Sequence, residues 1–353
     1  MRCLIRQTVR PSRPILISHH LVFSYETITL DNGILATKNN MANPFPDIPP
    51  LRQAFAHFPN IGPARLKMLH EAGIRSWEDI GPFPPPGLDA WTAFWQPIYQ
   101  TAIDCREADA ANDIPFFIER LEPMDRWRLL HKHWNQCAFI DIETAGLEFD
   151  ADITVISVFY QHRVRLFVKD ENIDEFPDYL LTLPFIATYN GSTFDIPKII
   201  RYFNLPPLPI PHVDLRWLCH RLDLTGGLKP IEHQLGIIRP ADLQGTDGDD
   251  AVRLWQEWQS RHDDMARYLL LKYCAADTLS LQLVTDRILE RNGCPVATRP
   301  RQSAVWDVLE DIARPVQAVP QQEIKQSEEP SPNDTLASLQ GRLKALLNRK
   351  KRF

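Results

Sequence analysis

The chain has no surplus of positive charge, no cysteine spacing suited to a zinc site, and no apolar run reaching the ~18 residues that cross a bilayer. Each absence excludes something. Cys3, Cys105, Cys137, Cys219, Cys274 and Cys294 are scattered without a C-x-x-C pair, which points to reduced thiols and a cytoplasmic protein. Pro14–Tyr25 is partly apolar, but His19 and His20 interrupt it and no small-residue cleavage site follows cleanly, so neither a membrane partner nor secretion is expected. The turns at Gly191 and Gly226-Gly227 have no G-x-G-x-x-G context, and no serine or cysteine is set up as a nucleophile. A net charge of −6 excludes a uniformly basic surface. It leaves room for local basic clusters and for a cation-binding site, which must itself be acidic.

What is present is an ordinary globular composition, 44% apolar and 24% charged over 353 residues, long enough for about two folding units. Residues 1–40 mix Arg2, Arg6, Arg10 and Arg13 with a short β-prone run and read as an ill-ordered extension or an artefact of start-site choice. Residues 41–81 form a small all-α module, 82–134 a Pro-rich and helical connector, 135–295 the main domain, 296–335 a linker, and 336–353 a basic amphipathic helix. That last helix carries Leu336, Leu339, Leu343, Leu346 and Leu347 as a stripe beside Arg342, Lys344, Arg349, Lys350, Lys351 and Arg352. It suits docking of a protein partner or contact with nucleic acid, and equally a solvated tail.

In the 41–81 module, Leu51, Ala54, Phe55 and Phe58 recur at helical spacing, break at Pro59-Asn60-Ile61-Gly62-Pro63, and resume with Leu66, Leu69 and Ala72. The pattern predicts two short helices joined by a tight turn, with Ser76 capping a third. Over about thirty residues this resembles the helix-hairpin-helix family. The resemblance implies that backbone N–H groups near Ile61 and Gly62 hold a phosphate. Asn60 stands where that family usually has a glycine, and Asn tolerates the left-handed backbone better than other residues with a side chain. A helical bundle that only packs on the main domain is the alternative. Trp91 and Trp95, four apart in the connector, read as core.

The main domain shows strands near 137–142, 153–160, 164–168 and 185–188, then helices near 193–203, 214–222, 249–260 and 264–291, an order that suits a mixed α/β sheet with helices packed on it. Three patterns within it carry chemistry. In Phe139-Ile140-Asp141-Ile142-Glu143-Thr144 two carboxylates lie two apart on an apolar strand and leave the sheet on one face, where their charge needs a cation. In Thr188-Tyr189-Asn190-Gly191-Ser192-Thr193-Phe194-Asp195, Asp195 enters the first turn of a helix, where capping alone could explain it. In Lys272-Tyr273-Cys274-Ala275-Ala276-Asp277, Tyr273 and Asp277 share a helix face, and a core hydrogen bond would account for the pair; Ala275 and Ala276 suit close packing on the sheet. Asp214 reads as a cap rather than a ligand. Lys229 and His233 read as a solvated face, though both could reach phosphates. His131 and His133 face apart on a helix and cannot share a metal.

Taken in order, D-x-E, N-x-x-x-F-D and Y-x-x-x-D resemble the tyrosine variant of the DEDD 3'-5' exonuclease superfamily, within it a prokaryotic group of RNase H-like exonucleases, from about Cys137 to about Glu290. The resemblance implies an RNase H-like fold and a metal-dependent nuclease acting at the 3' end of DNA or RNA. It further implies two Mg²⁺ or Mn²⁺ ions held by Asp141, Glu143, Asp195 and Asp277. Tyr273 would orient the attacking water, and Asn190 and Phe194 would contact substrate. Hard oxygen donors suit such ions better than zinc, and two of them ~3.5–4 Å apart stabilise both the attacking and the leaving oxygen. A nucleic-acid-binding protein that performs no hydrolysis and a structure-specific endonuclease with the same site are the alternatives.

Overall fold

In a computed structural model of the chain, residues 43–146, 148, 150–208, 210–245, 248–294 and 302–312 are described. The expectations for residues 1–40 and for the helix at 336–353 lie outside them.

The chain first builds a helical layer: α1 (Pro63–Glu71), α2 (Thr92–Ala111), α3 (Ile114–Arg120) and α4 (Trp127–Lys132), joined by short 3-10 turns. The first expected helix of the 41–81 module is not there. Only a 3-10 turn, Pro50–Gln53, precedes the hairpin, and Ala54 after it is already extended. The Ser76 cap does form, over a 3-10 turn at Trp77–Asp79. Asn60 takes the left-handed conformation, φ 61°. Trp77 is fully buried, its indole donates to the Ala54 carbonyl at 2.8 Å, and its ring stacks on Phe117. Trp91 and Trp95 are buried as well.

The sheet follows: β1 (Cys137–Thr144), β2 (Ile153–Tyr160), β3 (Arg163–Val168), then α5 (Phe176–Leu180), β4 (Phe185–Thr188), α6 (Asp195–Tyr202) and β5 (His212–Asp214). Its spatial order is β3-β2-β1-β4-β5; β2 runs antiparallel to β1 and β3, while β4 runs parallel to β1 and β5. The β2–β3 hairpin turns through Gln161 and His162, both left-handed (φ 50° and 60°), which matches the twist of the strands. The remaining helices are α7 (Leu215–Arg221), α8 (Leu228–Gln234), α9 (Gly248–Arg261), α10 (Asp264–Arg291), α11 (Gln302–Trp306) and α12 (Val308–Ile312). The last two fall within the 296–335 span expected as a linker; Val305 and Leu309 are buried, and both helices pack against α10.

Strand β1 is the divide. Its even residues Ala138, Ile140 and Ile142 enter an apolar layer with Ile156, Phe167, Phe176 and Ile199. Its odd residues Cys137 and Phe139 enter a second core that runs without a break from Leu51 in the helical layer to Leu309. Helix α10, capped by Asp263, lies across β1 and β2 on that side, and fully buried Ala275 and Ala276 permit the close approach. The described residues cluster as a single unit, so the helical layer shares the core of the sheet.

Candidate functional site

At the carboxyl end of β1 the odd face changes from apolar to acidic. Asp141 lies opposite Ser157 and Glu143 opposite Val155, and the register shifts between Glu143 and Thr144, an irregularity that frees the strand end from the ladder. Helix α10 brings Tyr273, Cys274 and Asp277 over these carboxylates from above. Asp195 arrives from the side at the start of α6, its carboxylate accepting from its own backbone N–H and from that of Ile142.

The four carboxylates interact. Burial pushes Asp141 well above the ordinary carboxylate range, and Asp277, Asp195 and Glu143 push it further. Burial and then Asp277 do the same to Glu143, with Lys229 opposing. Asp195 is raised to about 7, mainly by burial, against the pull of its two backbone hydrogen bonds. One ligand atom each of Asp141, Glu143 and Cys274 lies within 4.8 Å of the others, a separation that a single cation can bridge. Raised, mutually repelling oxygen donors are the signature of a group of residues short of positive charge. A hard divalent ion fits them, and the Cys274 thiol adds a softer donor that burial keeps protonated.

Three neighbours bring positive charge or donors. Lys229 on α8 donates to the Tyr273 hydroxyl at 2.7 Å and sits 4.6 Å from its ring centroid. Burial and the nearby carboxylates Asp277 and Glu143 hold the Tyr273 phenol far above its ordinary 10. Arg239 pairs with Glu232 through both carboxylate oxygens and with Asp277. Lys229 is thus turned toward the site and half-buried, a correction to the solvated face that its helical spacing suggested, whereas His233 is exposed.

The loop after β4 is shaped by Asp214. Its carboxylate accepts from the backbone N–H groups of Asn190 (2.8 Å), Ser192 (3.0 Å) and Arg216 (3.0 Å), so it caps α7 and pins the loop at once. Asn190 is left-handed, φ 63°, and its side-chain oxygen accepts from Arg216 (2.6 Å) and Thr193 (2.9 Å). A Cβ on Gly191 would meet the Thr188 hydroxyl at 2.0 Å, so only glycine passes there. Helix α6 therefore starts at Asp195, two or three residues later than Ser192 or Thr193, after a turn closed by Thr193 N–H on the Asn190 carbonyl. Phe194 ends the turn 37% exposed, with the Lys198 ammonium 5.2 Å from its ring centroid.

The hairpin residues lie elsewhere. Ile61 is buried and its N–H is spent on the Phe58 carbonyl; Gly62 caps α1 with open space where a Cβ would stand. Sequence reasoning missed Cys274, Glu232 and Arg239. Cys274 precedes Asp277 by three positions on one helix, a spacing that shares a face and was there to be read. Glu232 and Arg239 carried no such sign, because their meeting with Asp277 depends on how α8 and the following turn fold back.

With this geometry in place, residues 138–289 match the family model described as the RNase_H superfamily, and the five-stranded mixed sheet flanked by helices agrees with that assignment. The fold of these residues is consistent with an RNase H-like domain, a superfamily made up typically of nucleases. No curated protein matches the chain. Among the described residues no helix is long and apolar enough to cross a membrane.

Proposed function

We propose that this chain is a metal-dependent 3'-5' exonuclease that hydrolyses phosphodiester bonds of DNA or RNA, with Asp141, Glu143, Asp195 and Asp277 as the metal-holding carboxylates. The observation that carries the reading is the convergence of these four groups, from β1, α6 and α10, at one strand end where burial holds Asp141, Glu143 and Asp195 above the ordinary carboxylate range. Two Mg²⁺ or Mn²⁺ ions supply stabilisation of the attacking and the leaving oxygen. The residues supply the rest. A phenol held this far above its ordinary range keeps its proton, so Tyr273 orients the attacking water as a hydrogen-bonding group and Lys229 fixes its hydroxyl. Phe194 offers an exposed ring against which the terminal base stacks. Asn190 serves chiefly by shaping the loop that places Phe194 and Asp195. The hairpin at Ile61 and Gly62 is the more distant contact in this reading, through the open approach at Gly62.

The test uses 3'-labelled single- and double-stranded DNA and RNA with Mg²⁺ and Mn²⁺ compared. Loss of cleavage in Asp141→Ala and in Asp277→Ala, with the fold retained, is the expected result, and undiminished cleavage by both would falsify the assignment. A covalently closed circular substrate that is cut identifies an endonuclease, and binding without cleavage in any metal identifies a binding protein.

A further inference from the structure

Asp277 belongs to a charged triad whose other two members, Arg239 and Glu232, the exonuclease reading does not use. Arg239 is 7% exposed and Glu232 4% exposed. The guanidinium donates to Glu232 from Nε at 2.8 Å and from Nη2 at 2.5 Å, and the same Nη2 reaches Oδ1 of Asp277. Its Cζ lies 5.8 Å from the Tyr273 ring centroid, and the Arg239 main-chain carbonyl accepts from the Gln244 amide at 3.1 Å. Burying three charges is costly unless each is matched, and apolar residues of similar volume would be at least as stable in their place. Glu232 is not one of the four carboxylates around the metal position, so the triad needs a purpose of its own.

Charge counting suggests one. Asp277 can accept from the guanidinium or bind a divalent cation with the same oxygen, and the two cations repel each other. Glu232 holds Arg239 by two parallel hydrogen bonds, from Nε and Nη2, a fork geometry that keeps the guanidinium charge paired when its contact with Asp277 is lost. We propose that Arg239 is an internal counter-cation of the metal site: it neutralises Asp277 when no ion is bound and competes with a divalent ion for that carboxylate, while Glu232 retains it after release. Arg239 is thus a positioning residue that acts through Asp277, and Glu232 sets how readily it lets go. The inference rests on the metal-binding reading above.

The experiment measures Mn²⁺ binding to the full chain, by calorimetry and by the electron paramagnetic resonance of free Mn²⁺, so that catalysis is not the readout. Arg239→Met is expected to tighten Mn²⁺ about tenfold by removing the competitor, and Glu232→Gln to weaken it about tenfold by leaving Arg239 on Asp277 alone. A merely structural role weakens binding in both variants or changes neither, and either result overturns the proposal. In an Asp277→Asn background the Arg239→Met effect should shrink to less than about twofold; an undiminished effect there means action by distant charge and also overturns it. Should Arg239→Met fail to fold, Arg239→Lys, which keeps the charge and loses the fork, is expected to tighten binding about threefold, and unchanged binding counts against the proposal. Wild-type protein that binds no Mn²⁺ removes the metal reading together with this one. Binding without the opposed shifts removes this one alone.

Discussion

The two faces of β1 treat charge in opposite ways. Even positions Ala138, Ile140 and Ile142 enter a layer of branched and aromatic side chains, while odd positions begin apolar at Cys137 and Phe139 and then turn to Asp141 and Glu143. One strand therefore both anchors the sheet and presents the acidic site. Burial on the even face contributes ~25 cal/mol per Å² of apolar surface, and that gain offsets the cost of crowding carboxylates on the other. The acidic end is tolerable because it occupies only the last turn of pleat, where the register shift opens the strand and donors from α6, α8 and the Arg239 turn reach it.

The contrast is broken most severely by exchanging the rules of the two faces. Asp141→Asn should lower hydrolysis by about a thousandfold while raising the melting temperature in EDTA by about 2–4 °C, since it deletes one of the repelling groups. Scanning calorimetry beside the labelled-oligonucleotide assay checks both halves. Ile140→Asp, one residue away on the other face, should cost more than about 4 kcal/mol and leave little folded protein to assay, as urea denaturation would read. Gly191→Ala forces a methyl group into Thr188 and should cost about 1–3 kcal/mol; activity should fall with it, because the displaced loop carries Phe194 and Asp195.

A subtler probe separates the donors within the acidic end. The Cys274 thiol beside two carboxylates gives soft ions a foothold, so Cys274→Ser should relieve inhibition by Cd²⁺ about tenfold while the Mg²⁺-supported rate stays within about twofold. An equal loss of both would show that the thiol only fills space.

A pH-dependent effect tests the helical layer. His133 is 1% exposed, neither ring nitrogen has a hydrogen-bond partner, and burial lowers it to about 4, with Lys132 adding to the shift. Its folded value lies below the unfolded 6.5, so the unfolded chain binds the extra proton as pH falls. The stability associated with neutral His133 is thus complete above 6.5 and lost on the way to about 4. Relative to wild type, His133→Leu should gain with a slope approaching ~1.4 kcal/mol per pH unit across that window. Parallel stability curves of the two proteins would refute the assignment. Comparing the pair matters, because Asp141, Glu143 and Asp195 have raised values and contribute the opposite slope.

Much of the sheet was legible in the chain. Runs such as Cys137–Ile142 and Ile153–Tyr160 are too short and too branched for helices, and the four expected strands and four expected helices of the main domain appear within three residues of their predicted bounds. Strand β5 escaped because three residues behind Pro211 show no period; only pairing with β4 makes them a strand. Helix α8 escaped for a related reason, since Pro230 sits inside a short run whose apolar face is visible only once Ile231 is buried. In the 41–81 module the apolar spacing held but the backbone did not follow it, since the 3-10 turn ends at Gln53 and Ala54 is extended. Residues 302–312 fell inside the 296–335 span expected as a linker, yet Val305 and Leu309 are buried and their helices pack on α10.

The acidic site divides the same way. Period two along β1 placed Asp141 and Glu143 on one face, and period 3.6 along α10 placed Tyr273 and Asp277 on another, because such spacings are local consequences of backbone geometry. The sequence by itself also determined the glycine at 191 and the left-handed asparagines at 60 and 190, whose conformations their own side chains permit. Only the tertiary structure decided that Arg239 would lie on Asp277, that Lys229 would turn inward to Tyr273, and that Cys274 would stand with the carboxylates. Those contacts join residues up to a hundred and more positions apart, and which of many possible partners meet is settled by how the helices pack on the sheet rather than by any periodicity along the chain.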